Sequence, residues 1–140
     1  SLEIKKIYPN IIIIKIFEKE PIAILINNDS KFFLGKKFDI IDYKKIDKFK
    51  NLPVIYGDKK NYKELFQNLK SINFPTNLIA KYFLLDSKRW NLELIDQKLI
   101  KLPPKDYKKS LKNFLTIKEI KNFDKYKIFD YRLKNQLILK

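Results

Sequence analysis

The 140-residue sequence has no cysteine, no histidine, no methionine and only two glycines. Without cysteine there is no disulfide, no thiolate nucleophile and no cysteine-bound metal. Without histidine, the usual zinc and copper ligand and the usual general base near neutral pH are both gone. Gly35 and Gly57 stand too far apart to form a glycine-rich phosphate cradle. No serine elbow of the hydrolase kind is present, and Ser30, Ser71, Ser87 and Ser110 have no histidine to activate them. No apolar run approaches the roughly 20 residues that a membrane-spanning helix needs. The chain opens on Ser1 and reads as part of a longer protein, with any membrane anchor upstream.

Acidic residues are also in short supply, 16 against 31 basic ones, for a formal net charge of +15. Such a balance suggests a nucleic acid or an anionic membrane as partner. Arginine is almost absent, however: Arg89 and Arg132 are the only two. Lysine acts as a mobile point charge and lacks arginine's planar fork for bases and phosphates. Abundant Ile, Asn, Lys and Phe is also what an AT-rich genome produces, so the charge reads as a solvated lysine surface. Aromatics interleave with lysine in Phe32-Phe33, in Lys81-Tyr82-Phe83 and across 123–129. A sheet that binds single strands would use such residues as stacking platforms. The same positions fit core packing, so a lysine-rich nucleic-acid-binding β domain stands as the alternative reading.

Three pairs of carboxylates are close in sequence: Glu18 with Glu20, Asp39 with Asp42, and Glu93 with Asp96. A shared site would raise one pKa and suit it to general acid work. Lysine neighbours solvate and pair such groups instead. No catalytic, metal-ligating or cofactor-binding set emerges, and the chain is expected not to be an enzyme.

Alternation and turn residues divide the chain into short strands. Residues 2–8 alternate weakly before a Pro9-Asn10 turn, and 11–18 are β-branched. Residues 22–26 and 31–34 follow as strands, and Gly35 is placed where positive φ is wanted. Leu52-Pro53-Val54-Ile55-Tyr56-Gly57 is a short extended piece. Asp58 then suits an N-cap, and Tyr62, Leu65, Phe66, Leu69 and Ile72 fall at helical spacing over 58–72. Residues 78–85 are extended, and 90–102 reads as a hairpin. Tyr107, Leu111, Phe114 and Leu115 stripe a second helix. Residues 126–133 and 135–140 read as two last strands. The expected fold is α+β: a largely antiparallel sheet of short strands with two amphipathic helices on one face. A boundary is expected near Glu18-Lys19-Glu20.

Two local features suit partner binding. Lys88 and Arg89 precede Trp90, and Trp and Arg are frequent at interface hot spots; the equal alternative is that Trp90 anchors the core and the basic pair is solvated. Gln136, Leu137, Ile138 and Leu139 form a final strand; at a sheet edge it would accept a strand from another protein.

Several segments in order resemble the FtsQ/DivIB family of bacterial division proteins. Pro9, the segment 12–17 and Glu18-Lys19-Glu20-Pro21-Ile22-Ala23 are similar to its P…I.I.E+.P.A stretch. Phe32-Phe33-Leu34-Gly35 resembles its strand ending in a glycine turn, and Leu52 to Gly57 its LP.i.G motif. Trp90-Asn91-Leu92-Glu93-Leu94 with Ile100-Lys101-Leu102 resembles its W.L.L…I.L hairpin. Ile128-Phe129-Asp130-Tyr131-Arg132-Leu133 resembles its VDLR segment, with Tyr131 in place of a leucine. The resemblance implies the end of a POTRA-like domain over 1–19 and a β-domain over 20–140. It also implies a scaffold in the periplasm, held to the inner membrane by a single span outside this sequence. Its last strand would be extended by a strand from an FtsB-like partner that travels with FtsL, so that the complex recruits and regulates septal peptidoglycan synthesis. Arg132, Leu133 and the strand 136–139 would be the docking edge, and Lys88 would meet an acidic residue of the partner. A POTRA-type outer-membrane assembly or secretion module, which also works by strand addition, is a third reading.

Overall fold

The computed structural model describes residues 2–7 and 11–16 by their backbone and residues 20–140 in full. Its strands are β1 (Leu2–Ile7), β2 (Ile11–Ile16), β3 (Pro21–Asn27), β4 (Ser30–Gly35), β5 (Ile40–Asp42), β6 (Val54–Tyr56), β7 (Ile79–Leu84), β8 (Trp90–Leu94), β9 (Leu99–Lys101), β10 (Ile128–Asp130) and β11 (Ile138–Leu139). Helix α1 (Lys59–Ser71) lies between β6 and β7, and α2 (Tyr107–Ile117) between β9 and β10. β1 and β2 form an antiparallel pair of their own, with Leu2 opposite Ile16 and Ile7 opposite Ile11. The expected Pro9-Asn10 turn, and Glu18 and Lys19 of the expected boundary, lie outside the described residues.

The other nine strands make one sheet in the order β11-β10-β9-β8-β7-β6-β3-β4-β5. The class is α+β, but the sheet is mixed rather than largely antiparallel. β3 with β6, β6 with β7, and β9 with β10 pair in parallel. Parallel neighbours cannot be joined by a tight turn and need a crossover. Helix α1 carries the chain from β6 to β7, and α2 carries it from β9 to β10. Both crossovers step in the same direction along the sheet, so the right-handed rule puts both helices on the same face.

That face is defined by one row of side chains. Leu25, Ile55, Tyr82, Leu92, Ile100 and Phe129 sit side by side on successive strands. Each is at most 2% exposed. Tyr62, Leu65 and Leu69 of α1 and Leu111, Phe114 and Ile117 of α2 close over the row. Edge-to-face rings fix each helix: Tyr62 on Tyr82 at 5.1 Å and Phe114 on Phe129 at 5.0 Å. Burial pushes the Tyr62 hydroxyl up to about 12. Asp58 caps α1 by accepting the Asn61 N–H at 2.8 Å, a bond worth about 1 kcal/mol.

Three local expectations change. Gly35 does not take a positive φ; left-handed backbone falls at Phe38 instead, φ 62°. A Cβ at Gly35 would meet the Asp39 carboxylate, which would have to turn aside. The stretch 36–50 contains the edge strand β5, which sequence reading left out, ahead of a single helical turn at Asp47–Phe49. The last two strands are far shorter than 126–133 and 135–140, for a reason that belongs to the site below.

Gly57 follows β6, and a Cβ there would sit 2.9 Å from Leu84 Cβ and 3.3 Å from Trp90 Cη2. Both neighbours are held by the sheet. Gly57→Ala should therefore lower unfolding free energy by about 1–3 kcal/mol, read by urea denaturation. An unchanged midpoint would contradict this packing.

Candidate partner-binding edge

Among the described residues β11 is the last strand of the sheet, bonded to β10 on one side only, with Phe129 opposite Leu139 and Asp130 opposite Ile138. Ile128 and Lys140 exchange both of their main-chain bonds, each at 3.1 Å. In an antiparallel ladder such a bonded pair alternates with a non-bonded one. The Leu139 N–H and C=O therefore point away from β10, toward the open side. Leu139 and Leu137 pack their side chains against the core from the edge.

Asp130 explains why β10 is so short. Its side chain is turned back along the chain, accepting the Arg132 main-chain N–H at 3.0 Å and the guanidinium at 2.6–3.0 Å. The fork from Arg132 holds the buried Asp130 carboxyl below its ordinary value. The chain then leaves the ladder and turns through Asn135, at φ 58°, into β11. This turn leaves Leu133 53% exposed at the rim.

The predicted residues fall into two groups. Arg132, Leu133, Gln136, Leu137, Ile138 and Leu139 come together at the edge and its turn. Lys88, Arg89 and Trp90 sit three strands away, about 14 Å at ordinary strand spacing. Both groups share one end of the sheet, because β8 starts where β9 and β10 finish. Trp90 is a core residue, 4% exposed, standing edge-on to Tyr82. Arg89 Nε donates to Ser87 Oγ at 2.8 Å. Lys88 is exposed at φ 62°, and its charge helps hold the Asp58 carboxyl low, behind the closer hydrogen bonds from Asn61.

Sequence reading missed a cavity of about 570 Å³ beside the edge, between the start of α2 and the turn. Pro103, Lys109, Asn113, Tyr131, Leu133 and Leu137 line it. The Tyr131 hydroxyl donates to Asn113 Oδ1 at 2.8 Å and ties the turn to α2. The tyrosine that replaces the family's leucine was the available signal. Among the described residues there is no cluster of potential metal ligands, and no helix is long and apolar enough to cross a membrane.

Fold and site define an open-edged α+β domain whose distinctive surface is an unfinished sheet with a basic rim. No protein-family model matches the chain. The chain is 33% identical over 142 residues to the cell division protein FtsQ of Rickettsia conorii, covering 95% of this chain and 53% of that protein. The same figures hold for cell division protein FtsQ of Rickettsia felis. For that of Methylomonas methanica the identity is 25% over 119 residues, covering 82% and 47%. The chain belongs to the FtsQ family of cell division proteins, and it spans about half the length of these curated relatives.

Asp130 gives a pH prediction. A carboxyl held low in the fold contributes stability that is fully present above its unfolded pKa of about 3.9. That contribution disappears as pH falls through the lower, folded value. Acid denaturation of the wild type should show this loss, and Asp130→Asn should remove that part of the pH dependence. An identical acid profile in the variant would contradict the Asp130–Arg132 account.

Proposed function

We propose that this chain is the partner-binding β-domain, over 20–140, of a divisome scaffold, preceded over 1–19 by the end of a POTRA-like domain. It works without catalysis. An FtsB-like partner, accompanied by FtsL, adds a strand to the open side of β11, and the assembly recruits and regulates septal peptidoglycan synthesis. The protein is held at the inner membrane by a single span outside the present sequence, with this part in the periplasm. The observation that carries the reading is the outward-facing main chain of Leu139 on a strand paired on one side only. Strand addition takes its affinity from such main-chain bonds and its selectivity from neighbouring pockets and charge. Leu133 and the adjoining cavity offer the pocket. Arg132, held flat by Asp130, and Lys88 and Arg89 at the same end of the sheet favour an acidic partner segment. Trp90 contributes from below, by fixing the start of β8.

Leu139→Pro removes the outward N–H while leaving the two bonds between Ile128 and Lys140 possible. Isothermal titration with the partner's strand-donating segment should show at least about a tenfold loss of affinity, the free-energy scale of one or two hydrogen bonds. Undiminished binding by a folded variant would reject β11 as the docking edge.

A further inference from the structure

Most lysines of this domain, on either face, have no ion-pair partner among the described residues; Lys81 with Glu93 at 3.7 Å, Lys48 with Glu20 at 3.1 Å and Lys98 with Asp96 at 3.7 Å are exceptions. The helical layer stands out by the balance of its own charges. Helices α1 and α2 carry seven lysines, at 59, 60, 63, 70, 108, 109 and 112, against one carboxylate, Glu64. All seven are exposed, and none has an ion-pair partner among the described residues. The two helices form one continuous layer, since Asn68 Nδ2 of α1 donates to the Tyr107 hydroxyl of α2 at 2.6 Å. The exposed Lys36 and Lys37 extend it, because the adjoining Phe38 packs on Tyr62 and Phe66.

We propose that the outer surface of the helical layer docks on an anionic lipid bilayer. The surface is two helices wide and carries ammonium groups without arginine forks, which suits diffuse attraction to a charged plane. A single-stranded nucleic acid would want exposed rings among the cations. Here the rings of the layer, Tyr62, Phe66 and Tyr107, are turned inward or half-buried. The one large aromatic exposed among the described residues, Tyr56, is stacked on Phe83 at 4.9 Å on the other face. This proposal is independent of strand docking at β11, whose residues it does not use.

The test is co-sedimentation with vesicles of phosphatidylcholine with and without phosphatidylglycerol. Two variants carry the same change in net charge: Lys60→Glu/Lys63→Glu/Lys112→Glu on the helical layer, and Lys44→Glu/Lys45→Glu/Lys50→Glu in the exposed segment against Phe33 on the other face. Thermal melts check that both fold. Wild type should bind only the anionic vesicles, and more weakly as salt screens the surface. The helical variant should lose about 100-fold in partitioning, since each basic group near an anionic bilayer contributes about fivefold. The other variant should retain most of its binding. Equal losses in both variants would reduce the effect to net charge and overturn the proposal, as would absence of vesicle binding by wild type. Tighter binding of single-stranded DNA through the same lysines would overturn it in favour of a polynucleotide.

Discussion

A single buried row, from Leu25 through Ile55, Tyr82, Leu92 and Ile100 to Phe129, is the constraint on which this domain depends. Six of the nine strands contribute one residue each to it, and several strands are only three residues long. Strands so short gain little from their own ladders, so the cover supplied by the helices decides which of them form. The cover comes from two crossover helices that must lie on the same face. On the β10 side the sheet runs out soon after the cover does. Beyond Phe129, Leu139 packs only partly against the core and β11 has a neighbour on one side alone.

The same constraint explains why the basic groups at 88, 89 and 132 share one end. The parallel strands β6, β7, β9 and β10 all finish there, and both helices begin there. Chain that leaves a parallel strand must turn out over that end before it crosses back. The turns carrying Lys88 and Arg132 are thereby collected beside the last strand. The Asp130–Arg132 fork does two things at once: it terminates β10 and holds the arginine at the rim. The proposed strand docking uses an edge, whereas the lysines of α1 and α2 occupy the helical layer.

Much of this was legible in the residues. The spacing of Tyr62, Leu65 and Leu69, with Asp58 before it, gave α1 to within a residue at each end. Alternation at 90–94 and 99–102 gave the hairpin, although Gln97 rather than glycine takes the left-handed position in its turn. Parallel pairing was not legible, because three residues such as Val54–Tyr56 carry no signature of their neighbour's direction. β5 was hidden by its lysine-rich surroundings and its exposed Ile40. The last strands were read too long because Tyr131, Leu133 and Leu137 continue the apolar pattern. The side-chain fork at Asp130 and the turn at Asn135 interrupt the ladder without interrupting that pattern. For Trp90 the residue type fits an interface and a core anchor equally, and the fold decides for the core.

The proposed docking edge is β11, whose outward main chain has no neighbouring strand among the described residues. Residue-resolved hydrogen exchange on the isolated domain, and again with the strand-donating partner bound, tests this most directly. The Leu139 amide should exchange fast in isolation, while those of Ile128 and Lys140 are protected, and it should become protected in the complex. A Leu139 amide already as slow as that of Ile128 in the isolated domain would contradict the account.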